Sequence, residues 1–157
     1  MHTLSVDDGS SFFSMIKGTE NSILVPKALA NKLQSSKPRS VISIHNHPSN
    51  AGFSGADLYL FLKYDSFLIS FVVANNGTIY YVKKRKDVMY VPKDMKMVWD
   101  FGFMVLFNYY RQEVLELRMT ENEAKEAHTH EVMDRMWLKN QFDYYKVTPD
   151  AVEITLP

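Results

Sequence analysis

Three residues in the middle of the sequence have the types and the spacing of metal ligands. His45 and His47 lie one residue apart at the end of a short apolar run, and alternate side chains of a strand point to the same face. We therefore expect the two imidazoles to reach one ion together. Asp57 closes the segment Ser54-x-x-Asp57, which has the form of a helix N-terminus. Two imidazoles and one carboxylate, completed by a water molecule, are the ligands of an open catalytic zinc site.

The residues around this group predict the elements that must position it. The apolar run 41–44 predicts a strand, Pro48 turns the chain, and the apolar spacing that follows Gly55 predicts a helix. Residues 67–74 and 78–82 predict two paired strands, because an Asn-Asn-Gly turn joins them. A strand, a loop and the first turn of a helix can thus gather the three ligands at one point.

The upstream sequence adds further strands and a helix. Residues 3–17 predict a β-hairpin, residues 22–25 predict a short strand, and Pro26 is suited to the first turn of a helix. Strands and helices are therefore mixed along the chain. This order predicts an α/β (α+β) fold, in which helices flank a mixed β-sheet.

The character of the sequence changes after Lys86. Residues 93–118 have a largely helical pattern rich in aromatic side chains, residues 120–123 form a capping box that begins another helix, and residues 143–157 predict a turn and a short strand. We therefore predict a metal-binding domain over residues 1–86. Residues 87–157 form a helical extension, either packed on that domain or used for a partner.

Composition excludes several classes of function. The 18 basic and 18 acidic side chains cancel, which gives no support for nucleic-acid binding, and the absence of cysteine excludes disulfides and thiolate chemistry. No apolar run is long enough to span a bilayer. Because the N-terminus lacks the basic and apolar regions of a signal peptide, a cytoplasmic location is expected.

Other notable residues have simpler interpretations. The basic run 83–86 is read as a solvated strand end, and His128 and His130 as part of a solvated, charged helix face from which they cannot share one metal. The aromatic helix 97–118 is read as core, or as an interface for a protein partner or a second copy. The group around His45 is thus the one metal site that the sequence predicts.

The pattern H-x-H-P followed by S-x-x-D resembles that of the JAMM (MPN-plus, JAB) metallopeptidases. The local text HNHPS is most similar to RadC-like proteins and to phage- and toxin-associated JAB domains. The resemblance implies a JAMM-like sheet flanked by helices, with His45, His47 and Asp57 as ligands of Zn²⁺. It implies that Ser54 lies on the oxyanion side of the site and that the substrate is a protein or peptide, cleaved at a peptide or isopeptide bond.

The same resemblance implies a glutamate on an earlier strand, acting as general base. The one glutamate that precedes the histidines is Glu20, in the turn formed by residues 18–21. Glu20 is therefore either the base or an ordinary solvated turn residue. Ser54 likewise either assists the reaction or only caps the helix. Two functions stay open, a zinc metallopeptidase and a catalytically impaired binding or assembly module.

Overall fold

The computed structural model describes residues 1–7, 10–13, 25–135 and 142–149. The strands are β1 (His2–Ser5), β2 (Ser11–Phe13), β3 (Val41–Asn46), β4 (Phe67–Val73), β5 (Ile79–Lys84) and β6 (Phe142–Val147). The helices are α1 (Lys27–Ser35), α2 (Gly55–Lys63), α3 (Pro92–Leu115) and α4 (Glu121–Arg135). The predicted fold class, a mixed sheet combined with helices, is confirmed.

One sheet contains all six of these strands, in the order β2-β1-β3-β4-β5-β6. Strands β3 and β4 are parallel, and every other neighbouring pair is antiparallel. A parallel pair requires a crossover connection, and α2 supplies it. The crossover places the N-terminus of α2 at the carboxyl end of β3, which is the end that carries the two histidines.

The core lies between one face of the central strands and the helices. Alternate residues of these strands, such as Val41, Val72 and Val82, are fully buried, and α2 covers them with Leu58 and its neighbours on the same helical face. Helix α2 packs against α3, and α3 packs against α4. Burial of each large aliphatic side chain contributes about 1.5–3 kcal/mol, so α2 is held rigidly against the sheet.

The predicted N-terminal hairpin is confirmed where it is described, since β1 and β2 pair antiparallel with Thr3 opposite Phe13. Its end, residues 14–17, and most of the short strand predicted at residues 22–25 lie outside the described residues. Helix α1 begins at Lys27, directly after Pro26, as the sequence predicts.

The segment after Lys86 contributes a strand as well as two helices. The strand is β6, which begins at Phe142 and pairs antiparallel with β5 from Lys84 to Ile79, and the sequence did not predict it. The short strand predicted after the turn, near the end of residues 143–157, lies outside the described residues. Part of this segment therefore belongs to the main sheet. Among the described residues, no helix has both the length and the apolar composition that a bilayer crossing requires.

Two solvated surfaces predicted from charge are partly buried. In the basic run 83–86, Lys84 is 4% exposed and its Nζ donates to the carbonyl oxygen of Tyr64, 2.7 Å away, at the end of α2. Burial lowers the pKa of Lys84 to about 8. The prediction of a solvated run is therefore wrong for this residue, which donates, together with the N–H of Phe67, to a carbonyl at the end of the helix.

The predicted solvated histidine face of α4 is also wrong. His128 is 5% exposed and its ring stacks on Phe103 and Tyr110 of α3. Its Nε2 donates to the carbonyl oxygen of Phe103 over 2.8 Å, and His130 hydrogen bonds through Nδ1 with the hydroxyl of Tyr144 on β6. The histidines of α4 therefore attach this helix to its neighbours.

Candidate metal centre

The structure brings the three predicted ligands together. One ligand atom from each of His45, His47 and Asp57 lies within 4.8 Å of the others. His45 Nε2 is 3.2 Å from Asp57 Oδ1, and His47 Nε2 is 3.4 Å from Asp57 Oδ2. Ligands bonded to a tetrahedral zinc at about 2.0–2.1 Å lie about 3.3 Å from one another. Each imidazole therefore lies close to this separation from one of the two oxygens of Asp57.

Strand β3 and its continuation fix the two histidines. His45 pairs with Val72 of β4, and its side chain lies on the buried face of β3. One residue beyond the strand, the backbone N–H of His47 still donates to the carbonyl oxygen of Val73, 2.9 Å away. Pro48 has no N–H and ends the ladder there. Both imidazoles thus project from a backbone that is hydrogen bonded to β4.

A capping box fixes Asp57. The backbone N–H and the hydroxyl of Ser54 donate to Asp57 Oδ2 at 2.8 and 2.6 Å, and the backbone N–H of Asp57 donates to Ser54 Oγ over 3.2 Å. Both residues of this reciprocal pair lie at the start of α2, where the helix dipole stabilises a carboxylate. Ser54 therefore caps α2 by accepting from the N–H of Asp57, and its one hydroxyl proton is donated to the carboxylate of Asp57.

A backbone carbonyl sets the tautomer of His47. Its Nδ1 lies 3.2 Å from the carbonyl oxygen of Ala51, and a carbonyl oxygen only accepts hydrogen bonds. Nδ1 therefore carries a proton, which leaves Nε2, the nitrogen that faces Asp57, as the one that can bind a metal. Metal-ligating histidines in general are oriented by such a second hydrogen bond.

His45 provides the test of whether the residues fit a cation. Both of its ring nitrogens are buried, and neither has a hydrogen-bond partner, because Nε2 is close to Asp57 Oδ1 but is not aligned with it for a hydrogen bond. Buried polar atoms normally have partners. An ion shared by His45, His47 and Asp57 would satisfy Nε2, and this group can hold a metal ion.

The electrostatics of the group favour a carboxylate anion. Burial acts to raise the pKa of Asp57, but the two neighbouring imidazoles outweigh it and hold the pKa well below its usual range. Burial acts to lower the pKa of His47, and the hydrogen bond and charge of Asp57 outweigh it, so that this pKa is raised. Asp57 is thus an ionised ligand at neutral pH, and His47 must release any second proton when a metal binds.

The group is open on one side and backed by a small cavity on the other. The side chain of His45 is 5% exposed, whereas those of His47 and Asp57 are 19% and 13% exposed. The cavity behind them, of about 10 Å³, has room for about one water molecule. The residues that line it are Met1, Ser43, His45, Asp57, Leu60, Phe61, Phe67 and Ser70. Asp57 is the one carboxylate among these described lining residues, and Glu20 lies outside the described residues.

The helices after residue 87 support the ligand loop, defined here as residues 48–54 between His47 and α2. The sequence did not reveal this support. The backbone N–H of Gly52 donates to Thr129 Oγ1 on α4 over 3.0 Å. At the start of α2, a Cβ added to Gly55 would lie 2.5 Å from Cδ1 of Trp99 on α3. No local pattern marks Thr129 or Trp99, because both contacts join residues far apart in the chain.

Comparison with protein-family models, with curated proteins and with solved structures finds no match to this chain.

Proposed function

We propose that the chain is a zinc-dependent hydrolase of amide bonds, acting on a peptide or isopeptide bond in a protein or peptide substrate. One observation carries the proposal. Two imidazole nitrogens and a carboxylate, held on a strand end and a helix start, are spaced for one ion and are exposed on the side of His47. The resemblance of the sequence pattern to the JAMM metallopeptidases supports the reaction class.

The donor atoms favour zinc over calcium and magnesium. Calcium and magnesium prefer sites made of oxygen ligands, whereas zinc accepts imidazole and carboxylate together. Ferrous iron also uses two histidines and one carboxylate, with right-angled ligands. Metal analysis distinguishes these two ions.

The proposed mechanism divides the work among a few side chains. Zinc, when bound, lowers the pKa of a water molecule to about 7 and polarises the substrate carbonyl. Ser54 keeps Asp57 in place, and the exposed side of the group admits the substrate. Asp57 is occupied as a ligand and as a cap, so another group must carry the proton to the leaving amine. We assign this proton transfer to Glu20.

A binding or assembly module is the second candidate, and one observation favours it. Among the described residues that line the cavity, no carboxylate besides Asp57 is present to act as a base. Such a module would retain the metal group, or its scaffold alone, without turnover. The two candidates differ in activity and not in metal content, so both must be measured.

Metal analysis of the purified protein is the first experiment. We expect about one zinc per chain, lost in the double variant His45→Ala/His47→Ala and retained in the control His130→Gln, whose histidine lies on α4 away from the ligand group. Iron in place of zinc would argue for a redox enzyme. A wild-type protein that binds no metal would rule out the hydrolase.

Activity is the second experiment. We expect hydrolysis of peptide or isopeptide-linked substrates that stops with a chelator, returns with added zinc and is lost in Glu20→Gln. Full activity in Glu20→Gln would remove Glu20 from the mechanism while leaving the hydrolase intact. A zinc-loaded wild type with no activity on either substrate class would favour the binding module.

A further inference from the structure

Helix α3 is apolar on two opposite faces. Its inner face carries Met95, Trp99, Gly102 and Tyr110, which are buried against the rest of the fold. Its outer face, defined here by Met97, Phe101, Met104, Val105 and Leu115, is between 58% and 72% exposed. At 100° per residue, these five side chains fall within an arc of about 100° on the side opposite the inner face. The first four thus form a contiguous apolar stripe, which the polar Asn108 and Gln112 separate from Leu115 on the same side of the helix.

A surface helix of a single folded domain normally has one apolar face, and a helix that is apolar all round is buried. The largest apolar patch of a typical monomer measures about 300–600 Å². The outer face and the flanking Phe107 and Tyr109, which are about half exposed, together present on the order of 850 Å² when large side chains average about 200 Å² each. A standard interface takes about 800 Å² from each partner. The patch therefore has the size of one side of a dimer interface.

The charges beside the stripe indicate what can cover it. In the N-terminal half, Lys93 and Lys96 are balanced by Asp94 and Asp100. In the C-terminal part and the turn after it, two arginines and two glutamates also cancel, namely Arg111, Arg118, Glu113 and Glu116. A helix that lies on an anionic lipid surface carries an excess of basic residues at its polar edge, and α3 has none. A neutral surface can meet itself without repulsion between like charges.

We propose that the outer face binds a second copy of this chain, so that two α3 helices pack antiparallel across a two-fold axis at Phe101. One patch on each copy then serves both sides, as in the commonest class of homodimer. Antiparallel packing also opposes the two helix dipoles. In this register the two Phe101 rings meet at the axis, and Met97 faces Val105 of the partner subunit. The interface lies on the opposite side of α3 from Trp99, which supports the metal centre.

The first test measures association. Interfaces of this size have dissociation constants of about 1 µM or tighter, so sedimentation equilibrium should give a dimer of the full chain. Phe101→Asp should weaken the dimer at least about 100-fold, because each substitution acts twice and removes a buried ring on both sides. The control Val6→Asp changes an apolar side chain that is 40% exposed outside α3, and it should leave the dimer unchanged. Circular dichroism of Phe101→Asp should show a folded monomer.

The second test determines whether the two α3 helices run antiparallel, by disulfide cross-linking of introduced cysteines. Because the chain has no cysteine of its own, only the introduced residues can cross-link. Met97→Cys mixed with Val105→Cys should form a mixed disulfide under oxidation, and neither variant should cross-link alone, since such a bond needs Cα atoms within about 7 Å. Cross-linking of Met97→Cys with itself would overturn the antiparallel arrangement.

Other outcomes would overturn the dimer itself. A wild-type chain that stays monomeric at about 100 µM, well above the expected dissociation constant, would do so. A dimer whose mass is unaffected by Phe101→Asp would place the interface elsewhere. A monomer that binds vesicles of neutral phosphatidylcholine, and loses that binding with Phe101→Asp, would assign the outer face to lipid.

Discussion

Replacement of Thr129 by valine removes a side-chain hydrogen bond that joins α4 to the ligand loop. Valine has nearly the same shape as threonine, so the change deletes a hydroxyl and little packing. Thr129 Oγ1 accepts from the N–H of Gly52 at 3.0 Å, and both residues are buried. The hydroxyl itself donates to the carbonyl oxygen of Lys125 in its own helix. In the variant, the N–H of Gly52 has no partner from α4.

A buried donor left without a partner costs about 1–3 kcal/mol. This cost can appear as a lower free energy of unfolding or as a lower zinc affinity. If the loop keeps its position, the whole cost lowers the free energy of unfolding of the metal-free protein. If the loop moves, Ala51 carries the His47 ring with it, because the carbonyl oxygen of Ala51 accepts from His47 Nδ1. Zinc affinity then falls, in the range of 10–100-fold that is typical when a group orienting a ligand is lost.

The zinc-loaded protein should therefore lose about 1–3 kcal/mol in its free energy of unfolding, however the cost is divided. Urea unfolding at a fixed zinc concentration measures this sum, and zinc titration against a competing chelator measures the share that falls on the metal. Thr129→Ser keeps the hydroxyl and should restore most of both quantities. If Thr129→Val matched the wild type in both measurements, the proposed support of the ligand loop by α4 would be refuted.

Four further outcomes follow from the geometry. Gly55→Ala should lower the free energy of unfolding by about 1–3 kcal/mol in a thermal or urea experiment, because its Cβ would lie 2.5 Å from the Trp99 ring; an unchanged value would mean that the ring moves freely. Asp57→Asn should keep the helix cap but lose most zinc binding in a chelator-competition titration, and tight binding would exclude Asp57 as a ligand. Zinc at 100 times its dissociation constant should stabilise the wild type by about 2.7 kcal/mol and His45→Ala not at all, as a thermal shift assay can record. Burial lowers the pKa of His128 in the folded state, so the unfolded state binds more protons below about pH 6.5; the wild type should lose stability relative to His128→Gln as the pH falls through that value, and parallel curves would contradict the burial of this ring.

The parts of the fold that depend on short stretches of sequence were predictable. The Asn-Asn-Gly turn specifies the β4–β5 hairpin, and the spacing from Ser54 to Asp57 specifies a helix start, because each depends on residues within four positions of one another. The grouping of His45, His47 and Asp57 followed from the same local logic. A strand end and the following helix start must lie at the same edge of a parallel pair.

The parts that depend on distant residues were not predictable. Lys84 reads as one of four consecutive basic residues, and its burial depends on the carbonyl of Tyr64 at the end of another element. Thr129 lies 77 residues from Gly52, and nothing in the periodicity of α4 marks it. His128 was assigned to a solvated face because its neighbours in sequence are charged, whereas the aromatic rings that surround it belong to α3.

The two oxygens of Asp57 make different contacts, and this limits the residues that can replace Asp57. Oδ2 receives both donors of Ser54, while Oδ1 faces His45. Glutamate would serve well in a capping box, but its extra methylene would carry the carboxylate away from the histidines. Asparagine would keep the length and give up the charge. A selection for folding and a selection for metal binding would retain different replacements at position 57. In a saturation library that applies both selections, position 57 should therefore tolerate fewer residues than position 54.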